Sequence, residues 1–387
     1  MPLVYWTMLS VSFFWIVKVI SSRRANINNS QQNIAILFFW IIVSLSTLSL
    51  SWKQYTINTM VEWGKVTAIY FFFVSIIDSL KKIKIIIFII ISSMAITATI
   101  GILQSFGIDL TGVGTIDGRV NGIGIFGTNQ LAYALVYCLP FVIVFLLLTR
   151  NALLKIFLLI ILSLYIYCLF LTQSRGGYLC FIIVLLMSLK MFSKNRVIQF
   201  CCIFIGILLF ILFAKFAPRF STTFEYQSDS SALGRLDAWG SGLESLKTNY
   251  LLGIGKDQFA QHFYIAPHNS YIQCVTELGL LGLFLWLSFF YFSIKKLNLI
   301  IAQRLKDFEL VYFAKALKLS LYAYLVGSYF SSSAYYIPLF ILIAISVCIE
   351  SISKSFKKYR TAPIEIIHIA GLELAILVAI KFLVSTS

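Results

Sequence analysis

Arg119, Arg175, Arg235 and His268 stand in short polar stretches of an otherwise oily chain, and their side chains suit one kind of chemistry. Guanidinium groups bind phosphate oxygens bidentately, so two or three that converge would hold a pyrophosphate. Arg175 opens an expected helix within Thr172-Gln173-Ser174-Arg175-Gly176-Gly177, where unpaired backbone N–H groups and the helix dipole also favour an anion. An imidazole, with an ordinary pKa of about 6.5, can take a proton from an attacking hydroxyl near neutral pH. His268 is therefore the general-base candidate. The alternative for each arginine is snorkelling or capping a helix end, and for His268 it is satisfaction by local hydrogen bonds. Arg219, Lys256 and Asn269 share the same long polar stretch and are candidate supporting residues. Glu277 lies nine residues beyond His268, about 13 Å along a helix. That is too far to share its proton, and an interhelical hydrogen bond is the expected role.

These residues must be positioned by membrane helices. The chain has 387 residues, 60% hydrophobic and 12% charged, and a mean hydropathy of +0.91. Soluble domains average about 25% charged residues, and crossing a hydrocarbon core takes roughly 20 apolar residues in a helix. Apolar runs near 3–20, 33–52, 60–80, 84–103, 125–148, 155–172, 176–192, 197–216, 270–294, 311–330, 335–352 and 364–385 predict an all-α, polytopic bundle of about 11–12 spans, a single integral membrane domain over 1–387. The last run, interrupted by Glu365, His368, Glu373 and Lys381, could instead lie along the surface. Met1 to Leu9 lack a basic n-region, so a retained helix is expected there.

Charge sets the orientation. Arg23/Arg24, Lys81/Lys82/Lys84, Arg150/Lys155, Lys190/Lys194/Arg196, Lys295/Lys296/Arg304/Lys306 and Lys354/Lys357/Lys358/Arg360 fall in every second loop, whereas the intervening short loops hold little beyond Lys53, Arg119 and Arg175. The positive-inside rule makes the rich set cytoplasmic and the long polar loop 217–269 external. Within that loop Ser228–Leu233 reads as turn-like. Gly234 to Leu252 reads as a short amphipathic helix with Leu236, Trp239, Leu243 and Leu246 on one face, and Asn269 or Ser270 can cap the helix that follows. The net charge of +16 is thus explained by topology, and no nucleic-acid partner is expected. The seven cysteines sit in or beside apolar runs without a C-x-x-C pair and read as small core residues.

Two familiar patterns are excluded. Gly122, Gly124 and Gly127 spell G-x-G-x-x-G, but no strand is expected before them, and from Gly118 through Phe224 there is no acid to hold a ribose. Those glycines more simply let a re-entrant backbone approach its neighbours. Three scattered histidines and no D-x-D pair give no metal or nucleotide-sugar site, so a transferase built here would need no cofactor. Gly279 and Gly282 read as a close helix–helix contact.

The segment His268-Asn269, nine residues, Gly279, two residues, Gly282 resembles the loop-to-helix signature of the O-antigen ligase and O-antigen polymerase superfamily. Arg119 through Asn129, Ser174-Arg175-Gly176, Gly234-Arg235 through Trp239, and Leu252-Gly253-Ile254-Gly255 fit its order and spacing across roughly 115–345. The resemblance implies a polytopic glycosyltransferase of the bacterial inner membrane. Its donor would be a glycan on undecaprenyl pyrophosphate, and its acceptor a sugar hydroxyl on a lipid-linked repeat unit or on lipid A-core. A chain-length regulator would be a further partner. Carried over by position, Arg175 and Arg235, with Arg119 beside them, would hold the phosphates, and His268 would act at the acceptor. Polymerase is slightly favoured over ligase. A flippase or transporter is the reading from another class, weakened by the single long loop and by the lack of a repeat between the halves. One departure is that family members usually begin in the cytoplasm, whereas these charges put the first residues outside.

Overall fold

The computed structural model describes residues 30–48, 53–115, 118–123, 127–192, 230–303, 307–353 and 363–385. The expected spans 3–20 and 197–216, the first part of the polar loop with Arg219, Gly124, Cys201, Cys202 and the basic residues Arg23, Arg24, Lys194, Arg196, Arg304, Lys306, Lys354, Lys357, Lys358 and Arg360 lie outside the described residues.

Every regular element among the described residues is a helix: α1 (Gln31–Ser46), α2 (Lys53–Ile76), α3 (Leu80–Ser105), α4 (Thr128–Leu148), α5 (Ala152–Thr172), α6 (Arg175–Phe192), α7 (Ser230–Ser245), α8 (Phe259–Phe263), α9 (Ser270–Ala302), α10 (Phe308–Ser328), α11 (Ile337–Ser353) and α12 (Pro363–Ser385). Seven of these, α3, α4, α5, α6, α9, α10 and α12, are long and apolar enough to cross a membrane, and α1 and α11 are apolar but shorter. The chain is a multi-pass membrane protein by this measure. Helix α4 is buried nearly all round, as befits the centre of a bundle. It packs against α10, α5 and α6. Helices α5 and α12 bury only narrow stripes and turn Ile, Leu and Phe outward, as a lipid-facing helix should. The five described cysteines are all buried.

Side-chain contacts distinguish the two ends of the bundle. At one end, Lys296 on α9 bonds Glu350 of α11 at 2.7 Å and Gln32 of α1 at 3.0 Å. Lys84 pairs there with Glu309, and Lys295 with Glu365. Lys82, with Asp78, stands beside them. Lys82, Lys84, Lys295 and Lys296, which the sequence assigns to one side, thus stand at one end. The opposite end collects residues 106–115 and 118–123, the α5–α6 turn, α7, α8 and the α10–α11 loop.

Helix α12 runs the length of this arrangement. Near its start Glu365 pairs with Lys295 and His368 meets Tyr291, while near its end Val384 packs against Gly240 of α7. The alternative that it lies along one surface is therefore corrected: Glu365 and Glu373 are buried against the bundle, which is how an apolar helix tolerates them.

Candidate active site

Helix α9 is not one straight span, contrary to the continuous run expected from 270 to 294. Gly279 has φ 68 and ψ −171, outside helical geometry. The rings of Tyr271 and Trp286 lie 5.2 Å apart, whereas 15 residues of unbroken helix would separate them by about 22 Å. The first nine residues therefore lie across the head of the bundle and the remainder descends through it. Breaking the helix frees backbone groups that the loop satisfies. Ile254 and Gly255 donate to the carbonyls of Thr276 and Glu277 at 2.9 and 3.0 Å, and Leu280 donates to Tyr250 at 2.8 Å. A Cβ on Gly279 would strike the Leu251 backbone, and one on Gly253 would strike Thr276 and Glu277. The close approach expected at Gly279 is real, but its partner is this loop and not another helix. A Cβ on Gly282 would meet Leu278 of its own helix.

This strapped corner carries His268. Asn269, fully buried, caps α9 by accepting from Tyr271 and Ile272, as its residue type predicts. Among the described residues its Nδ2 has no partner. His268 itself takes φ 46, a left-handed conformation uncommon for a side-chain-bearing residue. Helix α7 holds the corner in place: Trp239 Nε1 donates to the Pro267 carbonyl at 2.7 Å, and its ring stacks edge-on with Tyr329 at 5.5 Å. Arg235 precedes Trp239 by one helical turn and so shares its face. The helix that pins the corner thus also brings a guanidinium to the imidazole. Burial, then the positive charge of Arg235, holds the His268 pKa below its usual value, so the ring stays neutral into mildly acidic solution.

Arg119 and Arg235 both act on Tyr133 of α4. Its hydroxyl bonds Ser174 and lies in the electrostatic field of Arg235 and Arg119. Arg119 donates through Nε to the Thr172 carbonyl at 2.8 Å and through a terminal nitrogen to Asn129 Oδ1 at 2.7 Å. Arg119 thus caps the end of α5 while facing the site. Arg175 is the first residue of α6, between Ser174 and Gly176. A Cβ at Gly176 would meet Tyr133 and stand 2.9 Å from Phe330 Cβ, and one at Gly177 would stand 2.7 Å from Ala132 Cβ. Only glycines let α6 start this close to α4.

Other candidates sit apart from the arginines. Lys256 pairs with Asp257 and lies over the rings of Tyr335 and Trp63 at 5.1 and 5.9 Å, anchoring the loop to α2. Glu277, buried, accepts from the Phe259 backbone at 3.2 Å and lies beside Tyr335, bracing α8 against α9. Tyr133 and Trp239 were not singled out as site residues. The signal for Tyr133 was present as a face of Asn129, Tyr133 and Tyr137 at four-residue spacing in an apolar helix. The expected amphipathic helix from Gly234 begins earlier, at Ser230, and ends at Ser245. It buries Ala238 and Trp239, as its spacing requires.

Residues 159–287 match the family model described as O-Antigen ligase. That stretch runs from α5 into α9 and contains Arg175, Arg235, His268, Gly279 and Gly282; Arg119 precedes it. The match supports the O-antigen ligase and polymerase superfamily, and an O-antigen ligase-type membrane glycosyltransferase in general terms. No curated protein matches the chain.

Proposed function

We propose that the protein transfers a glycan from undecaprenyl pyrophosphate to a sugar hydroxyl at the outer face of the bacterial inner membrane, in surface polysaccharide assembly. The observation that carries this reading is that Arg235 acts on His268, both within the segment that matches the O-Antigen ligase family, and also on Tyr133, which precedes that segment. In this scheme Arg175 and Arg235, supported by Arg119, bind the donor diphosphate and stabilise the charge that grows as the C1–O bond breaks. His268, kept neutral, takes the proton of the incoming hydroxyl. The buried Asn269 Nδ2 offers a hydrogen bond to a substrate oxygen next to it. A single in-line displacement inverts the anomeric carbon. The diphosphate-lipid leaves readily, so these residues suffice without a metal.

The test is a purified-protein assay that follows release of undecaprenyl pyrophosphate upon glycan transfer, with a liposome transport assay beside it. Transfer without transport is expected, and transport without transfer would favour the flippase reading. Within the enzyme class, polymerase is preferred slightly over ligase. Lipopolysaccharide of a deletion strain carrying core plus a single repeat unit would indicate polymerase. Uncapped core with polymer accumulating on the carrier lipid would indicate ligase.

A further inference from the structure

A small cavity lies among α4, α10 and the loop between α10 and α11. Gln130, Tyr133 and Tyr137, at spacings of three and four, give it one face of α4. Tyr324 of α10 and Ser331 and Ser333 of the loop complete much of the lining. Several of these side chains are held by the protein. Tyr133 bonds Ser174, Tyr324 donates to the Ser333 carbonyl at 2.5 Å, and Ser333 Oγ lies 3.1 Å from Ser270 Oγ. Two are not so held. The hydroxyls of Tyr137 and Ser331, residues only 7% and 2% exposed, have no partner among the described residues. A buried hydroxyl left unpaired is costly, and a bound group that pairs with it offsets that cost.

The cavity borders the candidate site on two sides. Tyr133 lies in the field of Arg119 and Arg235, which the proposed function gives to the donor diphosphate. Ser270, two residues beyond His268, donates to the Ser331 carbonyl at 2.6 Å and accepts from the Ser333 N–H at 2.9 Å. Tyr133 thus links the cavity to the leaving group, and Ser331 links it to the corner that carries the base. In a displacement, the sugar being transferred lies between those two. The enclosed space, mouth included, is about 250 Å³, which is smaller than pockets that enclose a drug-sized ligand. It suits an arm of a sugar rather than a whole glycan. None of the lining residues is charged, and hydroxyls both donate and accept, so a neutral hydroxyl-bearing group is favoured over an ion.

We propose that this cavity is a subsite for the sugar next to the donor diphosphate, taking a hydroxyl or hydroxymethyl arm of that ring. The Tyr137 and Ser331 hydroxyls bond the arm. The rings of Tyr137 and Tyr324, with centroids 4.9 Å apart, supply apolar surface for its C–H groups. Gly327 of α10 keeps the space beside the Tyr137 hydroxyl open, since a Cβ there would stand 2.5 Å from it. The subsite presupposes the function proposed above, which supplies the diphosphate and the base; it adds the side chains that recognise the sugar.

The test measures Tm and two affinities on the purified protein. One ligand is undecaprenyl pyrophosphate carrying the native repeat unit, and the other is undecaprenyl pyrophosphate without sugar. The wild type binds the glycan-bearing carrier more tightly. Tyr137→Phe and Ser331→Ala each lose about threefold to tenfold in affinity for it, the size of one hydrogen bond, and bind the bare carrier as the wild type does. Their Tm does not fall, because each removed hydroxyl has no bond to lose in the unliganded protein. Wild-type affinity of both variants for the glycan-bearing carrier overturns the subsite. An equal loss for both carriers, or a lowered Tm, also overturns it and assigns the hydroxyls to the fold. A wild type that binds the two carriers equally overturns the subsite and leaves the diphosphate assignment standing; one that binds neither overturns both.

Discussion

His268 combines two features that a structural corner residue would not need: a left-handed backbone and a guanidinium neighbour that discourages its protonation. The neutral ring is the form that accepts a proton, so activity should fall only on the acidic side of neutrality. Replacing Arg235 with glutamine removes a repelling charge, which raises the imidazole pKa. The acidic limb of the kcat/KM profile is then expected to move to higher pH, together with a higher KM for the lipid-linked donor. A pH-rate profile of Arg235→Gln that superimposes on the wild type would remove that contact from the account. The arginines and His268 were legible in the sequence because charge is rare in so oily a chain. Tyr133 was legible only as one of a face with Asn129 and Tyr137, since that spacing does not tell which neighbours the face will meet. Arg119 was legible as an outer-loop cation, but its bonds to Thr172 and Asn129 depend on tertiary contacts that spacing alone cannot reveal.

The helices themselves were mostly readable from apolar runs, since a bilayer leaves few alternatives. The break at Gly279 was not, because a glycine in a membrane helix serves equally well for helix contact, kink or loop docking. Its role is decided by the Leu251–Gly255 backbone, which lies against it. Gly279→Ala adds a clash with fixed backbone, about 1–3 kcal/mol for overpacking, and a left-handed alanine, about 1–2 kcal/mol more. Gly371, on α12, has open space where its Cβ would stand, so Gly371→Ala is expected to stay within about 0.5 kcal/mol of the parent. Thermal unfolding in detergent should therefore show a large drop in Tm for Gly279→Ala and almost none for Gly371→Ala. Equal Tm values would mean that the strapped corner does not hold the head of the bundle together.

Among the described residues, Lys82, Lys84, Lys295 and Lys296 stand at one end of the molecule, and the candidate arginine and histidine residues stand at the other. On the proposed reading the positive-inside rule puts the site at the external face, which labelling tests. Single cysteines replacing Lys247 and Arg150 should react with a membrane-impermeant thiol reagent in intact cells only at position 247. Reaction at 150 alone would invert the topology and separate the site from any externally displayed acceptor. In the proposed mechanism labour is divided: arginines hold the donor diphosphate and His268 takes the acceptor proton. Donor binding and single-turnover transfer, measured together on purified Arg175→Ala and His268→Asn, test it most directly, since asparagine tolerates the left-handed backbone but cannot act as the base. Weakened donor binding is expected in Arg175→Ala, retained donor binding in His268→Asn, and loss of transfer in both. Wild-type transfer by His268→Asn, or undiminished donor affinity in Arg175→Ala, would contradict it.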